Sequence, residues 1–188
     1  RGRRHEAFLG LLDFTLENTG PQSQDPAYSL TEQSFPFEPT RARWVRVVFK
    51  SNHGGDFIQA SEVKLMGFFS DGVVAEQKLK NVLAAENGGK LVYTTTQYDD
   101  GGWAARNLID GKLGAGHEYC TQPNTSAEMV FVLPKTAKII QVAFNPYTTE
   151  DPKRWAREVE VQLSTEGPRQ GFKSIGKFTL HNRQSVDP

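Results

Sequence analysis

Four segments hold the residues best suited to chemistry: 51–57 (SNHGGDF), 97–103 (QYDDGGW), 116–124 (GHEYCTQPN) and 145–155 (NPYTTEDPKRW). Each mixes polar side chains with aromatic ones, as a loop that meets a sugar must. The apolar patch of a sugar ring stacks on an aromatic face, and its hydroxyls need planar or forked hydrogen-bonding groups. Phe57 with Asn52 and His53 on one loop, and Arg154 on another, supply that combination. Tyr98, Trp103, Tyr147 and Trp155 are the further aromatic candidates. Each also has a purely structural role open to it. Asn-His-Gly-Gly is an ordinary turn sequence, Trp103 plugs a sandwich end, Trp155 anchors a strand, and Arg154 is solvated.

Other chemistries find little support. The histidines at 5, 53, 117 and 181 show no spacing that puts two on one helical face, and His117 with Cys120 lacks further partners. Asp99 and Asp100 are adjacent in a glycine-rich loop, where carboxylates form turns; a hydrolase needs two held across a cleft. There is no nucleophile elbow, phosphate loop or zinc-protease motif. The sequence therefore reads as non-catalytic.

Composition narrows the class further. The chain has 188 residues, 22 basic and 22 acidic, so its zero net charge favours neither nucleic acid nor an anionic membrane. No apolar run approaches the ~20 residues of a spanning helix. One cysteine, Cys120, excludes an internal disulfide and leaves the compartment open. The polar start of the chain does not read as a signal peptide.

The elements that must position the loops are strands. Residues 43–49 are β-branched and aromatic, with no helical period. Residues 61–66 return as a second strand, with Val63 and Leu65 on one face and Glu62 and Lys64 on the other. Residues 17–38 read as a long loop with an extended part around Phe35 and Phe37, and 68–80 as a linker. Residues 104–109 form one helical turn that presents Leu108 and Ile109 to the core. Strands follow at 128–133, 139–144, 157–164 and 174–180. Val159, Val161 and Leu163 alternate inward along the third of these.

Several of these stretches carry a resemblance. Residues 43–46 (RWVR) and 61–67 (SEVKLMG) are similar to the closing strands of the discoidin, or coagulation-factor type C (F5/8 type C), family. Residues 84–89 (AAENGG), 97–103, 105–111 (ARNLIDG) and 164–167 (STEG) are similar to that family's opening strands and turns. The resemblance implies an all-β fold, an antiparallel β-sandwich of the jelly-roll, galactose-binding-like kind. It also implies loop-end carbohydrate binding, with a stacking aromatic beside His, Arg and Asn. Relatives hold a structural calcium near the Asp-Gly turn and the closing Glu strand; here Asp110 and Glu62 match in part, with Lys112 where a second acid is usual. No other cofactor is implied.

The two ends of the chain repeat each other. Phe8, Phe14, Thr15, Leu16 and Asn18 match Phe172, Phe178, Thr179, Leu180 and Asn182 at a constant offset of 164 positions. The order implied is the closing strands of one repeat (1–67), a linker (68–80) and the opening strands of the next (81–188). Together these are expected to build one sandwich with its strands in circularly permuted order, with Leu12–Leu16 duplicating the last strand. The leading expectation is a carbohydrate-binding module of a secreted, cell-surface or periplasmic protein. The alternative is a structural or protein-interaction module, its partners neighbouring copies of the repeat or other chains.

Overall fold

The computed structural model describes residues 31–69 and 78–182. The strand expected at 12–16 and the middle of the expected linker lie outside them. The described residues form nine strands: β1 (Gln33–Asn52), β2 (Gln59–Ala60), β3 (Glu62–Phe69), β4 (Lys80–Asn81), β5 (Lys90–Thr94), β6 (Tyr119–Cys120), β7 (Ala127–Asn145), β8 (Ala156–Ser164) and β9 (Lys173–Thr179). All the ladders are antiparallel. The fold is an all-β sandwich, as expected.

β1 and β7 are long because each serves two sets of neighbours. The second half of β7 pairs with β3 and with the first half of β1, while its first half pairs with β5 and the second half of β1. β8 and then β9 extend the sheet beyond β1. The register breaks between Ala42 and Trp44, which face Ala137 and Val132, so residues 133–136 have no ladder partner on β1. That gap explains a departure from the sequence. Two strands were expected at 128–133 and 139–144, and the chain runs through both as one. Pro134 lacks an N–H, but it falls where no ladder bond is lost. The Arg43 guanidinium braces the bend by donating to the Leu133 carbonyl.

One core fills the sandwich, drawn from both described segments. Val45, Val47, Phe49, Val63 and Leu65 meet Leu83, Leu108, Phe131, Ile139, Phe144, Val159, Val161 and Leu163. The inward alternation of β8 is as the sequence predicts. Residues 105–109 form a 3₁₀ turn with Leu108 and Ile109 buried. β3 runs through Phe69, two residues into the expected linker.

Gly89 marks a tight crossing. A Cβ there would lie 1.8 Å from the Leu83 carbonyl oxygen, far inside van der Waals contact, and both groups are backbone. Gly89→Ala should therefore cost about 2 kcal/mol or more and lower the melting temperature by roughly 5 °C or more in a circular-dichroism melt. An unchanged melt would show that this crossing relaxes freely.

Candidate functional site

The four polar segments gather at one end of the sandwich through backbone bonds between distant residues. The His53 and Gly55 N–H groups both donate to the Lys153 carbonyl at 3.0 Å, tying loop 51–57 to loop 145–155. Gly55 permits this approach, because a Cβ would stand 2.8 Å from the Arg154 side chain and 3.1 Å from backbone. The Asn124 N–H donates to the Asp56 carbonyl, and the Tyr98 N–H to the Cys120 carbonyl. The Gln122 amide donates to the Gln97 and Tyr98 carbonyls at 3.0 and 3.2 Å. Asn107 pins the glycine-rich loop from below, donating to the carbonyls of Gly101, Gly102 and Glu118 at 3.0 Å each.

Phe57, Tyr98 and Arg154 come together on this frame. The Tyr98 ring stands edge-on to Phe57, with centroids 6.0 Å apart. The Arg154 guanidinium lies over the Phe57 ring, 5.0 Å from its centroid. Tyr98 is 53% exposed and Phe57 is half-buried. Arg154 also pairs with Glu150 at 2.9 Å, four residues earlier in sequence. The cluster is therefore a partly exposed aromatic pair beside a forked cation, assembled from three loops.

The other expected residues are placed differently. The Asn52 amide donates to the Gly55 and Phe57 carbonyls, and its oxygen accepts from the Gly54 N–H at 2.9 Å. Its hydrogen-bonding capacity thus shapes its own loop. His53 is half-buried, and its Nε2 is buried without a hydrogen-bond partner among the described residues. Burial, then the nearby Arg157 charge, hold its pKa below the usual histidine value, so the ring stays neutral. Trp155 is only 4% exposed and packs against Tyr147, with centroids 5.0 Å apart. It walls the site from within and offers no open face. Tyr147 and Trp103 are half-buried. The Trp103 backbone is fixed by the Asp99 carboxylate, which accepts its N–H at 3.0 Å. Cys120 is buried, and burial raises its pKa above the usual thiol value.

Glu62 departs most from the alternation expected of its strand. In place of facing outward with Lys64, it is 1% exposed. Both carboxylate oxygens are buried and have no hydrogen-bond partner among the described residues. Burial pushes its pKa well above the ordinary range; the Lys64 charge is the main opposing influence, the Asp110 charge pushes upward again, and the Gly111 N–H pulls it down a little. Asp110 is engaged, accepting from the Lys112 N–H at 2.8 Å and pairing with His117 Nδ1 at 2.9 Å. Lys112 itself is exposed. Among the described residues no three His, Cys, Asp or Glu side chains converge as a ready metal cluster. A buried, poorly hydrogen-bonded carboxylate that feels the charge of a second one nevertheless suits a hard, oxygen-seeking cation, with backbone carbonyls making up the rest of the shell.

Sequence reasoning named Phe57, Tyr98 and Arg154, but it passed over Glu150, Gln122 and Asn107. Glu150 was the most legible of these, being four residues before Arg154. Gln122 and Asn107 act on backbone carbonyls far away in the chain, which no local pattern announces.

Compared with known proteins, the chain matches no family model and no curated protein. Among the described residues no helix is long and apolar enough to cross a membrane.

Proposed function

We propose that this chain is a non-catalytic carbohydrate-binding module, a discoidin-like sandwich with permuted strand order that takes a glycan at its loop end. The observation that carries the reading is the Phe57–Tyr98–Arg154 cluster. Two aromatic rings in edge-to-face contact give a sugar ring an apolar wall, and the guanidinium beside them donates to hydroxyls in a fixed fork. Backbone bonds among four loops hold this arrangement, so little ordering is left for the ligand to impose. His53 stays neutral and belongs to the wall of the site. The resemblance in the closing and opening strands supports the same use of this end, and it implies a secreted, cell-surface or periplasmic setting.

Glu62 and Asp110 would hold a structural calcium, which supplies the positive charge that the buried Glu62 lacks. Its role is to fix the start of β3 and the Asp-Gly turn, away from the sugar.

A glycan-array screen of the purified chain, run with calcium and with a chelator, tests the reading. Selective binding to one sugar class is the expected result, strengthened by calcium. A blank array from folded protein would overturn it and shift the weight to a structural or protein-interaction role.

A further inference from the structure

The carboxylates around the aromatic cluster bear on which glycans enter. Six acidic residues lie on the loops that form the site: Asp56, Asp99, Asp100, Glu150 and Asp151 are exposed, and Glu118 is buried, accepting from the Thr149 N–H. The cations on the same loops are Lys153 and Arg154. Arg154 is the only one of these two in contact with the aromatic pair, and its guanidinium is already held by Glu150 at 2.9 Å. The charges of Arg154, Glu150 and Asp99 all reach the buried Cys120 thiol behind the loops. The cation on the aromatic pair is thus already partnered, and on these loops exposed carboxylates outnumber cations; Arg106, which donates to the Asp100 carbonyl, stands at the edge as a partial counterweight.

From this geometry we infer that Glu150 sets the charge selectivity of the site: it neutralises Arg154, so the site takes uncharged sugars and rejects those bearing carboxylate or sulfate. The inference rests on the carbohydrate reading and adds the ligand class to it. Glu150 acts through Arg154 and is a positioning residue. With Glu150 in place, Arg154 retains N–H donors for neutral hydroxyls, while its net charge is cancelled. An incoming carboxylate would have to displace Glu150 from the guanidinium and would face Asp56 and Asp99 while doing so. Exposed pairs are individually weak, so the discrimination is graded and falls as salt screens it.

The test uses the full chain and matched glycan pairs, a neutral galactoside or glucoside against its sialylated, uronic or sulfated counterpart, titrated at low and at physiological salt. The charged member should bind roughly fivefold or more weakly, with the gap narrowing as salt rises. In Glu150→Gln the ratio should move toward or past the charged member, because the guanidinium is released. Asp56→Asn should move it the same way by less, since Asp56 acts only through the field. A purely structural role for Glu150 would lower both affinities and leave their ratio unmoved. Wild-type protein that prefers the charged glycans, or a ratio unchanged in Glu150→Gln, overturns the selectivity while leaving the carbohydrate reading intact. No binding to either member overturns both.

Discussion

Replacing Glu62 with glutamine should raise the melting temperature by several degrees at pH 7 in the presence of a chelator, and abolish any stabilisation by calcium. The folded chain buries both Glu62 oxygens with no well-formed hydrogen bond among the described residues, the Gly111 N–H being the one donor nearby, and burial raises the carboxyl's pKa. Below the ordinary glutamate range both the folded and the unfolded chain carry the proton, and the fold bears no penalty from this group. As pH rises through that range the unfolded chain ionises while the folded one does not, so stability falls until the raised folded value is passed. At pH 7 the penalty is limited to about 3.5 kcal/mol, because the buried carboxyl can always keep its proton instead. Glutamine removes the ionisation but leaves its amide buried, so part of that amount is recovered. For a domain of this size the gain corresponds to a few degrees.

Calcium bound at Glu62 would reverse the balance in the wild-type chain. A bound cation favours the ionised carboxylate, so calcium should stabilise the fold more as pH rises from 5 to 8, by an amount set by its concentration over its dissociation constant. Differential scanning fluorimetry of the wild type and Glu62→Gln, with calcium and with chelator across that pH range, reads all of this in one experiment. A variant that melts lower than the wild type in chelator would show that Glu62 has a stabilising partner. Equal calcium shifts in both proteins would place any calcium elsewhere.

Phe57→Ala should weaken glycan binding by at least about tenfold while changing the melting temperature by no more than about 2 °C. The ring supports two others: Tyr98 meets it edge-on and Arg154 lies over it. Its removal takes away stacking area, a ring contact worth about 1 kcal/mol and a cation–π contact of similar size, and it frees Arg154 and Tyr98 to sample other rotamers. The fold should tolerate the change because Phe57 sits half-buried at a loop end, outside the core. The backbone of its loop is held separately, by Lys153 and by the Asn52 side chain. Isothermal titration with the sugar selected on the array measures the loss. Unchanged affinity would remove this cluster as the binding site, and a large drop in melting temperature would show that the ring is structural.

The predictions separate two kinds of residue that look alike in sequence. Asn52 and Arg154 were both polar loop residues beside aromatics. Asn52 spends its amide on the turn that displays Phe57, whereas Arg154 keeps its planar face on that ring. Trp155 and Tyr98 were both loop aromatics, and one is walled in while the other is half open.

The sequence by itself determined the class of fold and much of its strand content. Period-two burial is a local property: Val63 and Leu65, or Val159, Val161 and Leu163, show which face turns inward without knowledge of what covers them. The turn at 104–109 was legible too, as one helical turn with Leu108 and Ile109 presented to the core. Only the tertiary structure decided that β7 crosses Pro134 unbroken, because that depends on where its neighbours stop pairing. It alone decided that Glu62 is buried. The start of β3 lies under the turn at 105–109, more than forty residues away in the chain, and alternation along one strand cannot report what packs over its end. The site is of this second kind: whether a polar side chain meets a ligand or braces a loop depends on which distant carbonyls the fold brings within hydrogen-bond reach.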